Sequence, residues 1–314
     1  MIEVRNLTKT YGPTIAVNNI SFDAKEGEVV GFIGPNGAGK TTAMRVLTCY
    51  IGADAGSAKV AGYDVFQQPL EVRKHIGYLP ESAPLYTNMG VLESLNFIAQ
   101  ARGIPRGERK SRIRNMIDIC GLEEVVQKDV SELSKGYRQR LGLAQTLIHD
   151  PEVLILDEPT SGLDPIQIIQ IRRLIKEMGE KKTIILSTHI LPIVEETCNR
   201  IMIINRGKLV ADGTKEKLIM QIQGGNVYTF RIRGPLEEIE AKLKMLKFIK
   251  NVETISQDDG VCNFRVQSDV GTNVEEELFR FAADNEFSLT EWRRESMNLE
   301  DVFLHFTLPS SREA

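Results

Sequence analysis

The residues with the clearest chemical potential lie in a glycine-rich segment that follows a short apolar run. Val29–Ile33 is typical of a buried strand, Gly34–Thr42 of a loop, and the following residues of a helix. This order is the P-loop pattern, in which backbone N–H groups and a helix N-terminus together surround an anion. The residues expected to hold phosphate groups are Gly34, Asn36, Gly37, Ala38, Gly39, Lys40, Thr41 and Thr42.

Lys40 and Thr41 have the most specific expected roles in this loop. A lysine at this position places a positive charge on the β- and γ-phosphates, and a threonine hydroxyl is a ligand for Mg²⁺. The alternative is a glycine-rich turn that binds nothing, and the strand–loop–helix order argues against it. The loop therefore predicts a site for a nucleoside triphosphate with Mg²⁺.

A pair of carboxylates supports the same chemistry. The apolar run Val153–Leu156 is typical of a strand that is buried on both faces, and Asp157 and Glu158 follow it directly. Ligands bind at the carboxyl ends of strands in open α/β sheets, so Asp157 is expected to hold Mg²⁺ and Glu158 to activate water as a general base. Without the P-loop, the two carboxylates could equally begin a solvated turn.

Length and composition restrict the class of protein that positions these residues. The 314 residues favour two domains, and 42% hydrophobic with 26% charged residues indicate a folded globular chain. The net charge of −4 argues against a dedicated nucleic-acid binder, and the four scattered cysteines against a zinc cage. No apolar run has the length of a membrane span and no export signal follows Met1, so a cytosolic location is expected.

The order of predicted elements separates the chain into two parts. Strands alternate with amphipathic helices up to about Lys217, which favours an α/β fold with a largely parallel sheet. The segment Gln221–Asn226, with its paired glycines, is the expected joint. The following β-α-β-β-α-β order predicts a small ferredoxin-like α+β module. The expected domains are residues 1–220, with a mostly helical arm over about 82–150, and residues 226–308.

The segment Leu133–Arg140 (LSKGYRQR) opens a predicted helix between the two phosphate motifs. At this point the chain resembles the ATP-binding subunits of ABC transporters, over roughly Met1–Leu218 and in the order and spacing of that family's motifs. The resemblance implies a P-loop ATPase core, hydrolysis of ATP, and a head-to-tail homodimer. In that dimer, Ser134 and Gly136 close over the ATP that is bound to the P-loop of the other copy.

The resemblance assigns roles to further residues. It implies that Tyr11 stacks on adenine, that Asp164 belongs to a loop linking the two ATP sites, and that His189 contacts the γ-phosphate. Taken alone, Tyr11 would more simply be a turn residue and His189 a helix cap. Glu81 stands where the family commonly has glutamine, and a carboxylate there can still bind Mg²⁺ or orient water. The implied catalytic residues are Lys40, Glu158 and His189, and the implied metal ligands are Thr41, Glu81 and Asp157.

Two residues of Leu133–Arg140 differ from the commonest sequence of this motif in the family, and the chain therefore resembles one subset of it. Lys135 and Tyr137 replace a glycine and a glutamine, as in the ATPases that serve ABC-2 type permeases, and Asn298–Leu304 resembles the close of that subset's C-terminal extension. The resemblance implies a separate membrane permease, export, and a peripheral location on the inner face of the cell membrane. A soluble ABC-type factor acting on ribosomes or DNA is the rival. A GTPase is disfavoured because the sequence has no Asn-Lys-x-Asp element.

The helical arm carries one further expectation. The resemblance implies that it forms a groove for a short cytoplasmic helix of the permease. Four apolar residues near its start have helical spacing, and most of them are expected to be core residues; they are Met89, Leu92, Leu95 and Phe97.

Overall fold

The computed structural model describes residues 1–268, 274–295 and 297–308. The chain separates into two compact units. The first comprises Met1–Lys215 together with the segment that starts at Phe306, and the second comprises Glu216–His305. Among the described residues, no helix combines the length and the apolar composition that crossing a bilayer requires.

The first unit contains two sheets. Its strands are β1 (Ile2–Tyr11), β2 (Thr14–Ala24), β3 (Val29–Ile33), β4 (Ala55–Val60), β5 (Tyr63–Asp64), β6 (Ile76–Leu79), β7 (Val153–Asp157), β8 (Thr183–Ser187), β9 (Arg200–Asn205) and β10 (Lys208–Gly213). Strands β1, β2, β4 and β5 form an antiparallel sheet in the order β2-β1-β4-β5. The other six form a sheet in the order β10-β9-β3-β8-β7-β6, in which only the β9–β10 pairing is antiparallel.

The parallel strands are buried because both of their faces are covered. Every residue of β3, β7 and β8 is buried, as the continuous apolar runs of these strands predict. Alternate residues of β7 enter two different cores, with Leu154 and Leu156 in one and Val153 and Ile155 in the other. Because β7 pairs in parallel with β6 and β8, its last residue, Asp157, lies at the carboxyl edge of the sheet.

Helices cover this framework and form the arm. They are α1 (Lys40–Leu47), α2 (Pro69–His75), α3 (Val91–Ala101), α4 (Arg106–Cys120), α5 (Lys135–Leu147), α6 (Pro165–Gly179) and α7 (Leu191–Thr197), and α8 (Lys215–Gln223) begins at the end of the unit. Helices α3, α4 and α5 lie within the predicted arm and share one core.

The core prediction for the start of the arm is largely wrong. Leu95 is fully buried, but Leu92 and Phe97 remain 41% and 43% exposed, and Met89 is half-buried. In helix α3, the buried positions Val91, Leu95 and Ala99 form a stripe with a spacing of four residues, and Leu92 and Phe97 lie off that stripe. Apolar character therefore did not mark burial at these two positions.

The second unit is an antiparallel sheet with helices on one face. Its elements are β11 (Asn226–Arg233), α9 (Leu236–Lys244), β12 (Ile249–Asp258), β13 (Val261–Ser268), α10 (Val274–Asp284) and β14 (Ser288–Glu295), followed by α11 (Leu299–Thr307). The strand order β12-β13-β11-β14 with antiparallel pairings is the ferredoxin-like arrangement expected from the element order. Its core includes Phe230, Phe264, Ile239 and Phe281.

The boundary differs from the expected joint. The units divide at Lys215, and helix α8 occupies Gln221–Gln223, where an open joint was expected. The pair Gly224–Gly225 instead forms the short turn between α8 and β11. The division falls after the first residue of α8, and the rest of that helix belongs to the second unit. Asn273, the expected first residue of helix α10, lies outside the described residues.

Candidate nucleotide-binding site

The P-loop joins the end of β3 to the start of α1, and its shape requires glycine at two positions. Gly39 has φ +110°, and a side-chain carbon there would collide with the carbonyl oxygen of Ala16. A side-chain carbon on Gly34 would collide with the carbonyl oxygen of Ile204. Because both obstacles are backbone atoms of neighbouring strands, the loop can take this course only without side chains at these positions.

Lys40 is buried at the N-terminus of α1, with 8% of its surface exposed. Its ammonium group donates to the carbonyl oxygens of Gly34, at 2.7 Å, and Pro35, at 3.1 Å. Burial lowers the pKa of Lys40, and the nearby carboxylates of Glu158 and Asp157 oppose this shift. Carboxylates near the loop therefore help Lys40 to keep the charge that a phosphate contact needs.

Asp157 is 1% exposed at the carboxyl end of β7. One of its carboxylate oxygens accepts a hydrogen bond from the Ser187 hydroxyl, at the end of the neighbouring strand β8. The other oxygen, Oδ2, is buried without a partner among the described residues. An unpaired buried carboxylate oxygen is costly, and a divalent cation would satisfy it.

These residues fit a Mg²⁺ ion that also takes ligands from its substrate. Thr41 and Glu81 line the same cavity as Asp157 and add a hydroxyl and a carboxylate. No group of three or more His, Cys, Asp or Glu residues with metal-binding geometry occurs among the described residues. Mg²⁺ usually takes one or two protein carboxylates together with phosphate oxygens and water.

Glu158 and His189 form a hydrogen-bonded pair beside the P-loop. Oε2 of Glu158 lies 2.8 Å from Nδ1 of His189. Glu158 is 12% exposed at its side chain, whereas His189 is 64% exposed. The Glu158 backbone adopts φ +50°, and its N–H donates to the carbonyl oxygen of Ser187 at 3.0 Å. A carboxylate on a constrained turn, oriented by a histidine, is suited to accept a proton from water.

One cavity of about 520 Å³ brings most of the predicted residues together. Its walls are formed by the P-loop, the ends of β6, β7 and β8, and Ala16. The predicted residues that line it are Asn36, Gly37, Ala38, Gly39, Lys40, Thr41, Thr42, Glu81, Asp157, Glu158 and His189. The other predicted residues, which do not line it, are Tyr11, Gly34, Ser134, Gly136 and Asp164.

The LSKGY segment forms the N-terminus of α5. Ser134 is the exposed N-cap residue, and its hydroxyl accepts a hydrogen bond from the Tyr137 N–H at 3.3 Å. Gly136 is covered by the side-chain amide of Gln167, which leaves no space for a side chain on the glycine. Gln167 in turn belongs to the cap of α6, where its N–H donates to Asp164 at 2.9 Å.

Comparisons with known proteins place this arrangement in a family. A family model described as ABC transporter matches residues 17–161, and one described as AAA domain, putative AbiEii toxin, matches residues 128–195. The linearmycin resistance ATP-binding protein LnrL of Bacillus subtilis is 30% identical over 98% of both chains. The bacitracin transport ATP-binding protein BcrA of Bacillus licheniformis is 39% identical over 68% of this chain and 69% of its own length.

Similar solved structures point to the same family as the sequence relatives. The structure titled "Structure of ATP binding subunit of ABC transporter" is 30% identical, with a TM-score of 0.66, and the match covers 71% of this chain and 93% of that one. A dimeric cassette, MJ0796, in a post-hydrolysis state with ADP and Pi is 25% identical, with a TM-score of 0.64 over 68% of this chain and 98% of its own. This chain belongs to the ATP-binding subunits of ABC transporters. It is therefore an ATPase.

Within this ABC subunit, Tyr11 is one of the five predicted residues that do not line the cavity. Tyr11 is 47% exposed at the end of the β1–β2 hairpin, with the Lys9 ammonium 5.8 Å from its ring centroid. Hydrogen bonds from Lys9 and Thr10 lower the pKa of Asp54 to about 2 and tie this end of the hairpin to the loop before β4. Tyr11 is accessible for stacking but is not among the residues that line the cavity.

Sequence reasoning missed three residues of this ABC site. Ser187 holds Asp157, Ser161 lines the cavity, and the buried Gln139 reaches the carbonyl oxygen of Glu158 at 3.5 Å. Ser187 ends a strand adjacent to the one that ends at Asp157, so its position at the same sheet edge was a usable signal. Gln139 lies within Leu133–Arg140, and only its contact in the fold indicates a role.

Proposed function

We propose that two copies of this chain form a head-to-tail dimer that binds two ATP molecules and powers a separate ABC-2 type permease in export. In each site, the P-loop of one copy would face Ser134 and Gly136 of the other. The cavity supports this proposal because the P-loop, Glu158 and His189 line it, whereas Ser134 and Gly136 of the same chain do not. A second copy, related by a two-fold axis, completes both sites at once.

The proposed roles follow from the positions of the side chains. Lys40 binds the β- and γ-phosphates, and Glu158 accepts a proton from the attacking water at its carboxylate. His189 donates from Nδ1 to Glu158, and its Nε2, when it also carries a proton, would donate to the γ-phosphate. Thr41, Asp157 and Glu81 would hold Mg²⁺, which when bound neutralises phosphate charge.

The assignment of domains is also part of the proposal. Residues 1–220 would form the nucleotide-binding domain, the arm over 82–150 would dock the permease, and residues 226–308 would be an accessory domain. The chain would then lie at the inner face of the cell membrane through its permease. Relatives named for linearmycin resistance and bacitracin transport support an export role.

Glu158→Gln tests the dimer and the catalytic base together. The amide keeps the shape of the side chain but cannot accept the proton, so we expect phosphate release to fall about a hundredfold or more. ATP binding should persist and trap a dimer that sedimentation detects. Glu177→Gln, at an exposed position on α6, is the matched control and should behave as wild type. A Glu158→Gln protein that stays monomeric at saturating ATP would contradict the proposed dimer.

A further inference from the structure

The sheet of the second unit has an open edge at β14. In the order β12-β13-β11-β14, this strand pairs with β11 on one side and with no other strand of the described chain on its outer side. Five consecutive residues, 290–294, are exposed. The outer N–H and C=O groups of such a strand are a template for a further strand. The side chains along the edge then decide which strand it accepts.

The opposite edge, β12, is less suited to pairing. Its ladder with β13 is interrupted by two register shifts within ten residues. Irregularities of this kind bend and twist an edge away from a regular ladder. Strand β14 has a single shift, at Thr290, and residues 291–295 pair with β11 residue for residue. The regular edge that this sheet offers is therefore residues 291–295.

The side chains of β14 alternate between the two faces of the sheet. Trp292 pairs with the buried Phe230 of β11 and so lies on the face that the helices cover. Glu291 and Arg293 lie on the opposite face, where both line a cavity of about 990 Å³. Trp292 is the single tryptophan of the chain and is 49% exposed. The edge therefore presents an aromatic ring on one face and two opposite charges on the other.

Both of these charges lack a close partner within one chain. Arg293 forms no ion pair and no side-chain hydrogen bond among residues 1–268, 274–295 and 297–308. Glu291 lies 3.8 Å from Arg231, beyond hydrogen-bond distance, and both side chains are more than half exposed. Each charge is therefore free to meet an opposite charge from a neighbouring strand.

A second copy of β14 is the strand that these side chains fit. In an antiparallel pair related by a two-fold axis, opposite residues share a face, so each register centres on one residue that meets its own copy. Within the regular edge, the registers centred on Glu291, Arg293, Arg294 or Glu295 place identical charges opposite each other, which destabilises a sheet. The remaining register centres on Trp292. It places Glu291 opposite Arg293 of the other copy on both sides of the axis.

We propose that two copies of this chain join their β14 strands, with Trp292 against Trp292 of the other copy and Glu291 paired with Arg293 across the axis. The two sheets then continue as one, and the indole rings leave the solvent. This interface goes beyond the proposed nucleotide dimer. It lies in the second unit, whereas the P-loop and Ser134 lie in the first, and it needs no nucleotide.

The size of this contact sets its strength. A short ladder with two charge pairs and one aromatic pair is smaller than a standard protein interface, so the association is weak and depends on concentration. Where another contact holds two chains together and leaves both edges free to meet, the effective concentration rises to about the millimolar range. The measurements must therefore include concentrated protein.

Charge reversal tests the register. The full chain without nucleotide is studied by sedimentation equilibrium up to about 1 mM. Arg293→Glu places like charges opposite each other at two symmetric positions, so we expect the dimer dissociation constant to rise about tenfold or more. Arg233→Glu is the matched control, because Arg233 is an exposed arginine on the same face of β11, away from the edge. It should associate as the wild type does.

Exchanging the two charges provides the rescue. Glu291→Arg/Arg293→Glu again joins opposite charges in both pairs and should restore wild-type association. A variant that had merely lost its fold would not be rescued in this way. The proposal is overturned if Arg293→Glu associates as well as the wild type, or if the exchanged variant associates no better than Arg293→Glu alone.

Trp292 reports the contact directly, because the chain has no other tryptophan. As the wild type associates, the ring leaves water and its emission should shift to shorter wavelength. In Arg293→Glu, the same shift should require a higher protein concentration. An emission that stays constant while the protein dimerises would place the contact elsewhere and overturn the proposal.

A disulfide locates the axis. Directly opposite residues in antiparallel strands have Cα atoms about 4.5 to 5.5 Å apart, within the reach of a disulfide. Trp292→Cys should therefore form a reducible dimer under mild oxidation. Thr254→Cys is the matched control, since Thr254 is opposite the buried Phe264 on the other edge strand, as Trp292 is opposite Phe230. The wild type, with its own four cysteines, gives the background, and equal yields from all three proteins would overturn the proposal.

The two proposed interfaces can fail separately. The ATP-trapped dimer of Glu158→Gln should persist when Arg293→Glu is added, because the two contacts lie in different units. Dimerisation that requires ATP and gives no Trp292→Cys disulfide contradicts the edge pairing alone. A disulfide that forms without nucleotide, in a chain that ATP never brings together, contradicts the nucleotide dimer alone.

Discussion

The P-loop and the signature segment Ser134–Gly136 are both helix N-terminal segments suited to bind phosphate, but the fold holds them differently. Around the P-loop, Gly34 and Gly39 lie against backbone carbonyl oxygens of neighbouring strands. Around the signature segment, Gly136 lies against the side-chain amide of Gln167. Strand backbone cannot move without disrupting the sheet, whereas the end of a glutamine side chain can rotate.

This difference indicates which half of the proposed site is formed in advance. The P-loop has its final shape within one chain, with Lys40 buried and the carboxylates beside it. At the signature segment, the Lys135 side chain crosses Gly162 and its ammonium reaches the Ser161 hydroxyl at 3.5 Å. These flexible contacts link the signature segment to a residue that lines the chain's own nucleotide cavity. We infer that the signature half adjusts when a partner's nucleotide arrives.

Gly39→Ala has the largest expected effect, and it tests whether contacts with strand backbone hold the P-loop in shape. The new side chain would collide with the Ala16 carbonyl and would strain a backbone at φ +110°, so we expect ATP affinity to fall by about 3 kcal/mol, roughly a hundredfold. Titration with a fluorescent ATP analogue measures the loss.

Gly37→Ala is the matched control for this prediction. Gly37 has φ +77° but open space around it, so it isolates the conformational cost of about 1 kcal/mol. Equal losses in the two variants would mean that backbone contact does not hold the P-loop.

An intermediate effect is expected for Gly136→Ala. The methyl group displaces Gln167, which should lower ATPase turnover about tenfold, a cost of roughly 1.4 kcal/mol, and leave ATP binding to the monomer unchanged. The Gly136→Ala/Gln167→Ala double variant removes the obstacle and should recover most of the turnover. Failure of the second substitution to help would show that the signature segment is as rigid as the P-loop.

The last prediction concerns the C-terminal end of helix α5, the helix that Ser134 caps at its N-terminus. Helix α5 ends at Leu147, and His149 then donates from Nε2 to the Ile76 carbonyl of β6 at 2.9 Å. Burial lowers the pKa of His149 to about 4 from its ordinary value of 6.5. The folded state therefore favours the neutral ring, and its contribution is complete above pH 6.5 and is lost as pH falls toward 4.

By pH 5, this loss should reduce the free energy of unfolding by on the order of 1 to 2 kcal/mol. Urea unfolding of the wild type and of His149→Gln at pH 7 and pH 5 measures it. The variant should lack this part of the pH dependence, and an identical acid slope in both proteins would exclude His149 as its source.

The fold was predictable where local pattern and burial agree. The runs Val29–Ile33 and Val153–Leu156 are apolar throughout, and both are fully buried strands of the parallel sheet. The alternation of Tyr228, Phe230 and Ile232 likewise predicted the inner face of β11. The arm was harder, because Leu92 and Phe97 are apolar without being buried, and no local pattern distinguishes an exposed groove from a core.

The candidate site was predictable residue by residue but not as an arrangement. The P-loop, Asp157 and Glu158 are identified by order along the chain, whereas the hydrogen bond between Ser187 and Asp157 joins residues thirty positions apart. A groove that Tyr78, Arg45 and Arg102 line has no sequence signature, because which distant residues come together is a property of the fold.

The amino-acid order alone therefore determined the chemistry available to this protein, since glycine spacing, strand runs and the carboxylates that follow them are local properties of the chain. The tertiary structure decided which of those groups meet. It placed Glu158 against His189 and kept Ser134 out of the same cavity. It also placed Arg45 and Arg102 along one groove. The distances between these groups depend on how sheets and helices that are far apart in sequence pack together. The residue pattern of a single segment carries no information about that packing.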